Sequence, residues 1–115
     1  MGWSVEMRFN QRDIVLIPFP YSDLSGTKQR PALIISNEVV NKDEDRICCL
    51  ITSNPAMDGL EIYSPWFETG SLPFQSWIKP HRLFTIHEKI IKKKLCTINR
   101  TAHEKVIRAV EALIA

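Results

Sequence analysis

Pro31-Ala-Leu-Ile-Ile-Ser36 is a short, continuous apolar run that is rich in β-branched residues. A run of this length and composition is typical of a strand that is buried on both faces. Two similar segments flank it, Asp13-Ile-Val-Leu-Ile-Pro-Phe19 before it and residues 47–52 after it. The intervening residues 21–29 are rich in turn formers and are predicted to be a loop. Short strands this close together predict a core built mainly from β-structure.

Towards the C-terminus the pattern changes from strand to helix. Residues 76–86 predict a further strand, interrupted by Pro80. Thr101-Ala-His-Glu104 has the spacing of a capping box, and it predicts one amphipathic helix from about Ala102 to the end of the sequence. Many short strands followed by one helix indicate a mainly β fold, a small barrel or sandwich with helical cover. The apolar positions of the helix are Val106, Ile107, Val110, Leu113 and Ile114.

The length of 115 residues and the hydrophobic content of 44% suit one compact domain. We assign this domain to residues 11–115 and treat residues 1–10 as an N-terminal extension. In the extension, Trp3, Val5, Met7 and Phe9 alternate with polar or small residues, which fits an edge strand or dimer contact as well as a disordered tail. No stretch reaches the ~18 apolar residues of a membrane helix, and we expect a cytoplasmic location.

Charge and cysteine content limit the kinds of ligand and site that the sequence favours. The formal net charge is only +2, yet residues 79–94 contain six basic residues and one acidic residue. Such a strip attracts phosphates, although a solvated lysine-rich face has the same composition. The three cysteines are odd in number and Cys48 and Cys49 are adjacent, which does not suit a disulfide framework. No His or Cys spacing suits a metal, so we expect neither a metal site nor a cofactor.

Four segments, taken in order, resemble the MazF/PemK family of toxins. Their pattern is an acidic residue before Ile-Val, then a loop, then Arg-Pro-Ala before an apolar run and a serine. The resemblance extends from about Asn10 to Ala115, with weaker support from residues 76–85. The four segments are residues 12–20, 23–26, 29–36 and 49–54.

This resemblance implies an SH3-like barrel with a C-terminal helix that assembles as a homodimer. It also implies a toxin that cleaves single-stranded RNA, such as mRNA, at short sequence motifs. Cleavage in this family needs no metal and leaves a 2′,3′-cyclic phosphate and a 5′-hydroxyl. The partners implied are single-stranded RNA, a cognate antitoxin protein and a second copy of the chain.

Arg30 is the residue best suited to RNA cleavage. A guanidinium stays protonated and matches a phosphate with two parallel hydrogen bonds, and the family's arginine at this Arg-Pro step belongs to its active site. The family also uses a threonine or serine where Thr52 and Ser53 stand, although a strand-terminal turn is the ordinary interpretation. We predict that Arg30 and Thr52 are catalytic and that Ser53 and Lys28 contact RNA.

Lys79 and His81 depart from those family members that carry an arginine and an aspartate at these positions. They stand two apart on a predicted strand, so they are expected to share a face. Histidine titrates near neutral pH and suits proton transfer, whereas lysine binds phosphate but is a poorer bidentate partner than arginine. We predict that one of them handles protons and that Arg82 contacts RNA, while an exposed bystander role for His81 stays open.

Three other interpretations stay open. A barrel of this kind can act on a protein, as the structurally similar CcdB toxins act on DNA gyrase. The residues at positions 79 and 81 also allow a weakened family member that binds RNA or an antitoxin but cleaves poorly. A plain structural β-domain predicts no RNA affinity and no salt-dependent binding.

Overall fold

A computed structural model describes residues 8–20, 27–55 and 58–115. The strands are β1 (Asp13–Pro20), β2 (Thr27–Ile34), β3 (Asp45–Thr52), β4 (Leu60–Glu61), β5 (Phe67–Gly70), β6 (Trp77–His87) and β7 (Lys93–Ile98). The helices are α1 (Glu38–Asn41) and α2 (Arg100–Ile114), with 3₁₀ turns at Ser64–Trp66 and Glu88–Ile90. All strand pairs are antiparallel, and the order β4-β6-β3-β2-β1-β7-β5 forms one curled half-barrel sheet. The predicted mainly β fold with a C-terminal helix is confirmed.

The two faces of the sheet carry separate apolar clusters. The larger cluster lies under α2, and the smaller one lies on the other face, where Phe9 packs against it. Strand β2 supplies both clusters, because Leu33 points into the first while Ala32 and Ile34 point into the second. All three side chains are fully buried, as predicted for this apolar run.

Strands β1 and β2 extend further than the sequence predicted. Their ladder continues to Pro20 opposite Thr27, so Lys28 lies in a strand instead of the expected loop. Pairing with β1 here overrides the weak strand preference of the polar residues. The rest of the expected loop, residues 21–26, lies outside the described residues. Pro18 stays inside β1 because β7 pairs only with the first half of that strand, and a proline is tolerated where one neighbour is absent.

Strand β7 was not predicted, and it places part of the basic strip of residues 79–94 in the sheet. It begins with Lys93 and Lys94, so its apolar half was too short to show strand periodicity. The strand pairs with β1 on one side and β5 on the other. The C-terminal part of the strip therefore belongs to the sheet and has a defined inner and outer face.

Helix α2 begins earlier than predicted, and its cap is a different residue. The side chain of Asn99 accepts a hydrogen bond from the backbone N–H of Ala102 at 2.8 Å. The predicted capping box is therefore wrong: Thr101 and Glu104 lie inside the first turns of a helix that starts at Arg100. Asn99 directly precedes the first helical residue, which is the position where a side-chain oxygen can reach the free N–H groups.

The described part of the N-terminal extension packs against the domain. A guanidinium N–H of Arg8 donates to the carbonyl of Asn41, and Phe9 borders the smaller apolar cluster. Residues 1–7 lie outside the described ranges, so the strand-like alternation there stays a prediction. Across the described ranges, neither helix has the length and apolar character needed to cross a membrane.

Candidate nucleic-acid interface

Arg30 and Thr52 lie at the same end of two neighbouring strands. In the register of β2 and β3, Ala32 stands opposite Leu50. Arg30 precedes Ala32 by two residues and Thr52 follows Leu50 by two. Because side chains alternate along a strand, antiparallel pairing directs both to the same face and the same end of the sheet. The structure thus brings the two residues predicted to be catalytic into neighbouring positions.

A cavity of about 450 Å³ opens beside this strand end, and we call it the Arg30 cavity. Lys28, Arg30 and Ser53 line it, and Lys93 of β7 adds a third cation. Among the described residues that line the cavity there is no carboxylate. Such a lining suits a ligand that combines negative charge with a flat apolar part. The rest of the wall is largely apolar and includes Leu16, Pro31, Ile51, Leu72, Phe74 and Leu95.

Of the two hydroxyl residues at the end of β3, Ser53 lines the cavity and Thr52 does not. Thr52 is buried, and its Oγ1 accepts a hydrogen bond from the backbone N–H of Asn54 at 3.1 Å. This bond is the ordinary strand-terminal turn, but it uses only an acceptor lone pair and leaves the hydroxyl proton for donation. Ser53 is exposed and lines the cavity directly. The structure therefore brings Ser53 into the Arg30 cavity, while strand alternation turns the side chain of Thr52 to the opposite face from Ser53.

Lys79, His81 and Arg82 lie around a bulge in β6. The register between β3 and β6 shifts in mid-strand, so residues 80–82 bulge out of the ladder. Asp58 contacts both residues predicted for proton transfer: Oδ1 lies 3.9 Å from Lys79 Nζ, and Oδ2 lies 3.5 Å from His81 Nε2. The two side chains share one carboxylate, as their expected common face implies, and Arg82 is exposed beside them.

His81 and Lys79 differ in their relation to Arg30. His81 lines a second cavity of about 580 Å³ against α2, which has no described lining residue in common with the Arg30 cavity. Lys79 stands opposite Leu50, diagonally across from Thr52, which pairs with Trp77. Diagonal neighbours of this kind lie ~7–8 Å apart. Strand pairing therefore places Lys79, rather than His81, beside Thr52.

The sequence assigned no role to three residues of these cavities: Asp58, Phe74 and Lys93. Lys93 counted only as one member of the basic strip, and the segment around Asp58 and Phe74 gave weak structural signals. A pairing of β7 with β1 and the long return between β4 and β6 bring them into place. Contacts between residues this far apart in sequence leave no local pattern that periodicity can detect.

The cysteines take no part in either cavity. Cys48, Cys49 and Cys96 are free and buried. Burial raises the pKa of the Cys48 and Cys49 thiols to about 12 and that of Cys96 to about 11. These side chains therefore pack as small apolar groups.

Comparison with known proteins gives a family and a fold. The profile of the PemK-like, MazF-like toxins of type II toxin-antitoxin systems matches residues 10–114. No curated protein matches the sequence. The MazE-MazF structure from Deinococcus radiodurans is similar with a TM-score of 0.77 at 14% identity, over 95% of this chain and 97% of that one.

Two mycobacterial structures show the same likeness. An endoribonuclease in complex with its cognate antitoxin, from a Mycobacterial species, has a TM-score of 0.64 at 15% identity, over 90% of this chain and 91% of that one. The Mycobacterium tuberculosis toxin MazF-mt6 has a TM-score of 0.63 at 15% identity, over 85% and 93%. At these identities the likeness establishes the fold, while the profile extends over nearly the whole sequence. The chain belongs to the PemK-like, MazF-like family of toxins of type II toxin-antitoxin systems.

Proposed function

We propose that this protein is a toxin that cleaves single-stranded RNA at the Arg30 cavity. The observation that carries the proposal is the grouping of Lys28, Arg30 and Lys93 around one cavity that the hydroxyl residue Ser53 also lines. A cavity lined by three cations and, among its described residues, by no carboxylate favours a phosphodiester, and protein-borne positive charge can stabilise the reaction without a metal ion. Structures similar to this chain include endoribonucleases, which supports the same activity here.

The proposed reaction is an internal transesterification. The 2′-oxygen of one nucleotide attacks the adjacent phosphorus while the P–O5′ bond breaks, which yields a 2′,3′-cyclic phosphate and a 5′-hydroxyl. A base takes the proton of the 2′-hydroxyl, and an acid gives a proton to the departing 5′-oxygen. Arg30 neutralises the charge that develops on the equatorial oxygens, and Thr52 orients the phosphate with its hydroxyl proton.

The remaining roles fall to the residues around the two catalytic groups. Lys28 and Ser53 bind the phosphates of the RNA inside the cavity, and Arg82 binds the strand further along β6. Lys79 or His81 handles protons. Strand pairing favours Lys79 for this role because it lies diagonally across from Thr52. Asp58 lies within 4 Å of both candidates through its two carboxylate oxygens.

The proposal includes the partners that belong to a toxin. We place the protein in the cytoplasm as a homodimer, with residues 11–115 as its single domain. A cognate antitoxin would inhibit cleavage by covering the Arg30 cavity. A similar mycobacterial endoribonuclease is in complex with its cognate antitoxin, which supports this arrangement.

The test is to incubate the purified protein with long single-stranded RNA in EDTA and to map the ends. The parent protein is expected to make discrete cuts that leave a 5′-hydroxyl, which a polynucleotide kinase labels without prior phosphatase treatment. Arg30→Ala is expected to slow cleavage by ~10²–10³-fold, so that the cuts are not detected within the same incubation time. Lys42→Ala is the matched control, because Lys42 caps α1 at the opposite end of β2 and β3.

Two outcomes would overturn the proposal. If a folded parent cuts none of several RNAs, the cavity serves another ligand, and a protein target of the CcdB type becomes the leading alternative. If Arg30→Ala cuts as fast as the parent, the activity belongs to a different site or to a contaminating nuclease.

A further inference from the structure

We infer that residues 72–76 give the Arg30 cavity a nucleobase subsite, in which Phe74 stacks on an unpaired base while Lys93 binds the adjoining phosphate. The inference rests on the proposed function and specifies how the RNA is held. Neither residue belongs to the predicted catalytic set. Both line the cavity that contains Arg30.

Phe74 is an exposed aromatic side chain on a segment that is held in place by hydrogen bonds. It is 72% exposed although it belongs to the cavity wall. Its carbonyl accepts a hydrogen bond from Ser76 Oγ at 2.9 Å, and the carbonyl of Ser76 accepts one from the backbone N–H of Ile62 at 2.9 Å. The side-chain amide of Gln75 also donates to the carboxylate of Glu61. A ring presented by so fixed a segment loses little conformational entropy when a base stacks on it.

Lys93 supplies the charge that a stacked nucleotide requires. It stands opposite Leu16 in the β1–β7 ladder, and both residues line the cavity. Its neighbour Lys94 points to the other face and lies 3.9 Å from Asp13 Oδ1. The ammonium of Lys93 forms no ion pair with any residue of the described ranges. Its charge is therefore available to an anion that enters the cavity.

The combination favours RNA over a protein ligand. An aromatic platform alone would suit an apolar side chain of a partner equally well. Here the same cavity also contains three cations and no described carboxylate, a lining that matches a polyanion with flat bases. Its volume of about 450 Å³ lies in the ~300–1,000 Å³ range of small-ligand sites and suits one nucleotide.

The experiment measures binding of an RNA that cannot be cut. A fluorescent 2′-O-methyl oligonucleotide taken from a cleaved RNA lacks the attacking hydroxyl. A second set carries one abasic residue at each position in turn. Phe74→Ala is expected to weaken binding of the intact oligonucleotide roughly 5- to 150-fold, whereas Phe74→Trp retains it. Removing the base at one position should weaken binding to the parent protein by a similar factor. With that abasic oligonucleotide, Phe74→Ala should have almost no further effect on affinity.

Lys93 is tested through the salt dependence of the same binding reaction. Lys93→Ala should reduce the slope of log K against log salt by ~0.7, the value for one contact with a single strand. Lys42→Ala should leave affinity and slope unchanged. A slope that Lys93→Ala does not alter would overturn the role of Lys93.

The outcomes separate this inference from the proposed function. If the parent cuts RNA and Phe74→Ala binds the intact oligonucleotide as tightly as the parent, the subsite is wrong and the nuclease stands. If Phe74→Ala changes only dimer formation or antitoxin binding, the ring belongs to a protein interface and the inference is also overturned. A parent that neither cuts nor binds RNA overturns both.

Discussion

At the residue scale, Arg30 is set apart by how firmly its backbone is held. It pairs with Ile17 of β1, a fully buried position, and Pro31 follows it directly. A guanidinium carried by such a rigid backbone can bind a phosphate without reordering the chain. Arg30→Ala is expected to lower the single-turnover rate of RNA cleavage by ~10²–10³-fold, the cost of losing one preorganised donor. Arg30→Lys should fall between, because it keeps the charge but loses the bidentate contact.

The control for Arg30 is the fold itself. Because the side chain is only half-buried, both variants should unfold at nearly the same urea concentration as the parent. Equal cleavage rates for Arg30→Lys and the parent would show that only charge matters at this position. A loss of cooperative unfolding in Arg30→Ala would show that the residue is structural.

His103 predicts a pH dependence of stability. It lies buried in the first turns of α2, and its Nε2 has no hydrogen-bond partner within the described residues. Burial lowers its pKa, the Arg12 cation lowers it further, and Glu104 offsets part of the shift. The folded state therefore binds a proton less readily than the unfolded state. Stability should be complete above the ordinary pKa of 6.5 and fall as the pH drops below it.

The measurement for His103 is urea unfolding between about pH 7.5 and 5.5, the range in which a histidine titrates. The parent should lose free energy of unfolding across this range. His103→Leu removes the titrating group, so its curve should be flatter than that of the parent. Parallel curves for the two proteins would assign the pH dependence to other groups.

At the scale of elements, the sequence predicts what is locally consistent. Apolar β-branched runs identified β1, β2 and β3, and helical spacing identified α2 to within a few residues. Strand β7 escaped because its first residues are lysines, and the start of β2 escaped because Thr27 and Lys28 are polar. Both depend on pairing with β1, a contact between segments that a local window cannot see.

The observed helix cap differs from the predicted one, so substitutions at Asn99 and Thr101 should affect stability differently. Asn99→Ala removes the acceptor for the N–H of Ala102 and should lower the free energy of unfolding by ~1 kcal/mol, within the ~0.5–2 range of N-caps. Thr101→Ala should have little effect, because Thr101 is already helical. Asn99→Asp retains the acceptor and should restore much of the loss. The free energies of unfolding are measured with urea at neutral pH. A larger loss of stability for Thr101→Ala than for Asn99→Ala would support the capping box.

At the scale of the whole molecule, only part of the candidate site was within reach of the sequence. Arg30, Thr52 and Ser53 were predicted from a motif, and the strand register places Arg30 and Thr52 at the same end of the sheet. The third cation of the cavity, Lys93, lies more than sixty positions from Lys28 and Arg30 in sequence. It reaches the cavity because β7 pairs with β1, which in turn pairs with β2. Tertiary pairing of this kind determines which charges share a surface.

Arg46 makes the same point about stability, because it joins segments that are distant in sequence. The side chain is fully buried and donates to the carbonyls of Phe9, Asp43 and Asp45 at 2.7–2.8 Å and to Glu88 Oε1 at 3.0 Å. Arg46→Met should lower the free energy of unfolding by ~3–5 kcal/mol, because the buried acceptors lose their donor. Glu88→Gln keeps an acceptor and should cost far less. Hydrogen exchange and urea unfolding, measured together, would distinguish a global effect from a local one. If only the N-terminal segment is released, the backbone amide of Asn10 should exchange faster while the urea midpoint stays the same. That local result would show that Arg46 fastens the extension and does not support the domain.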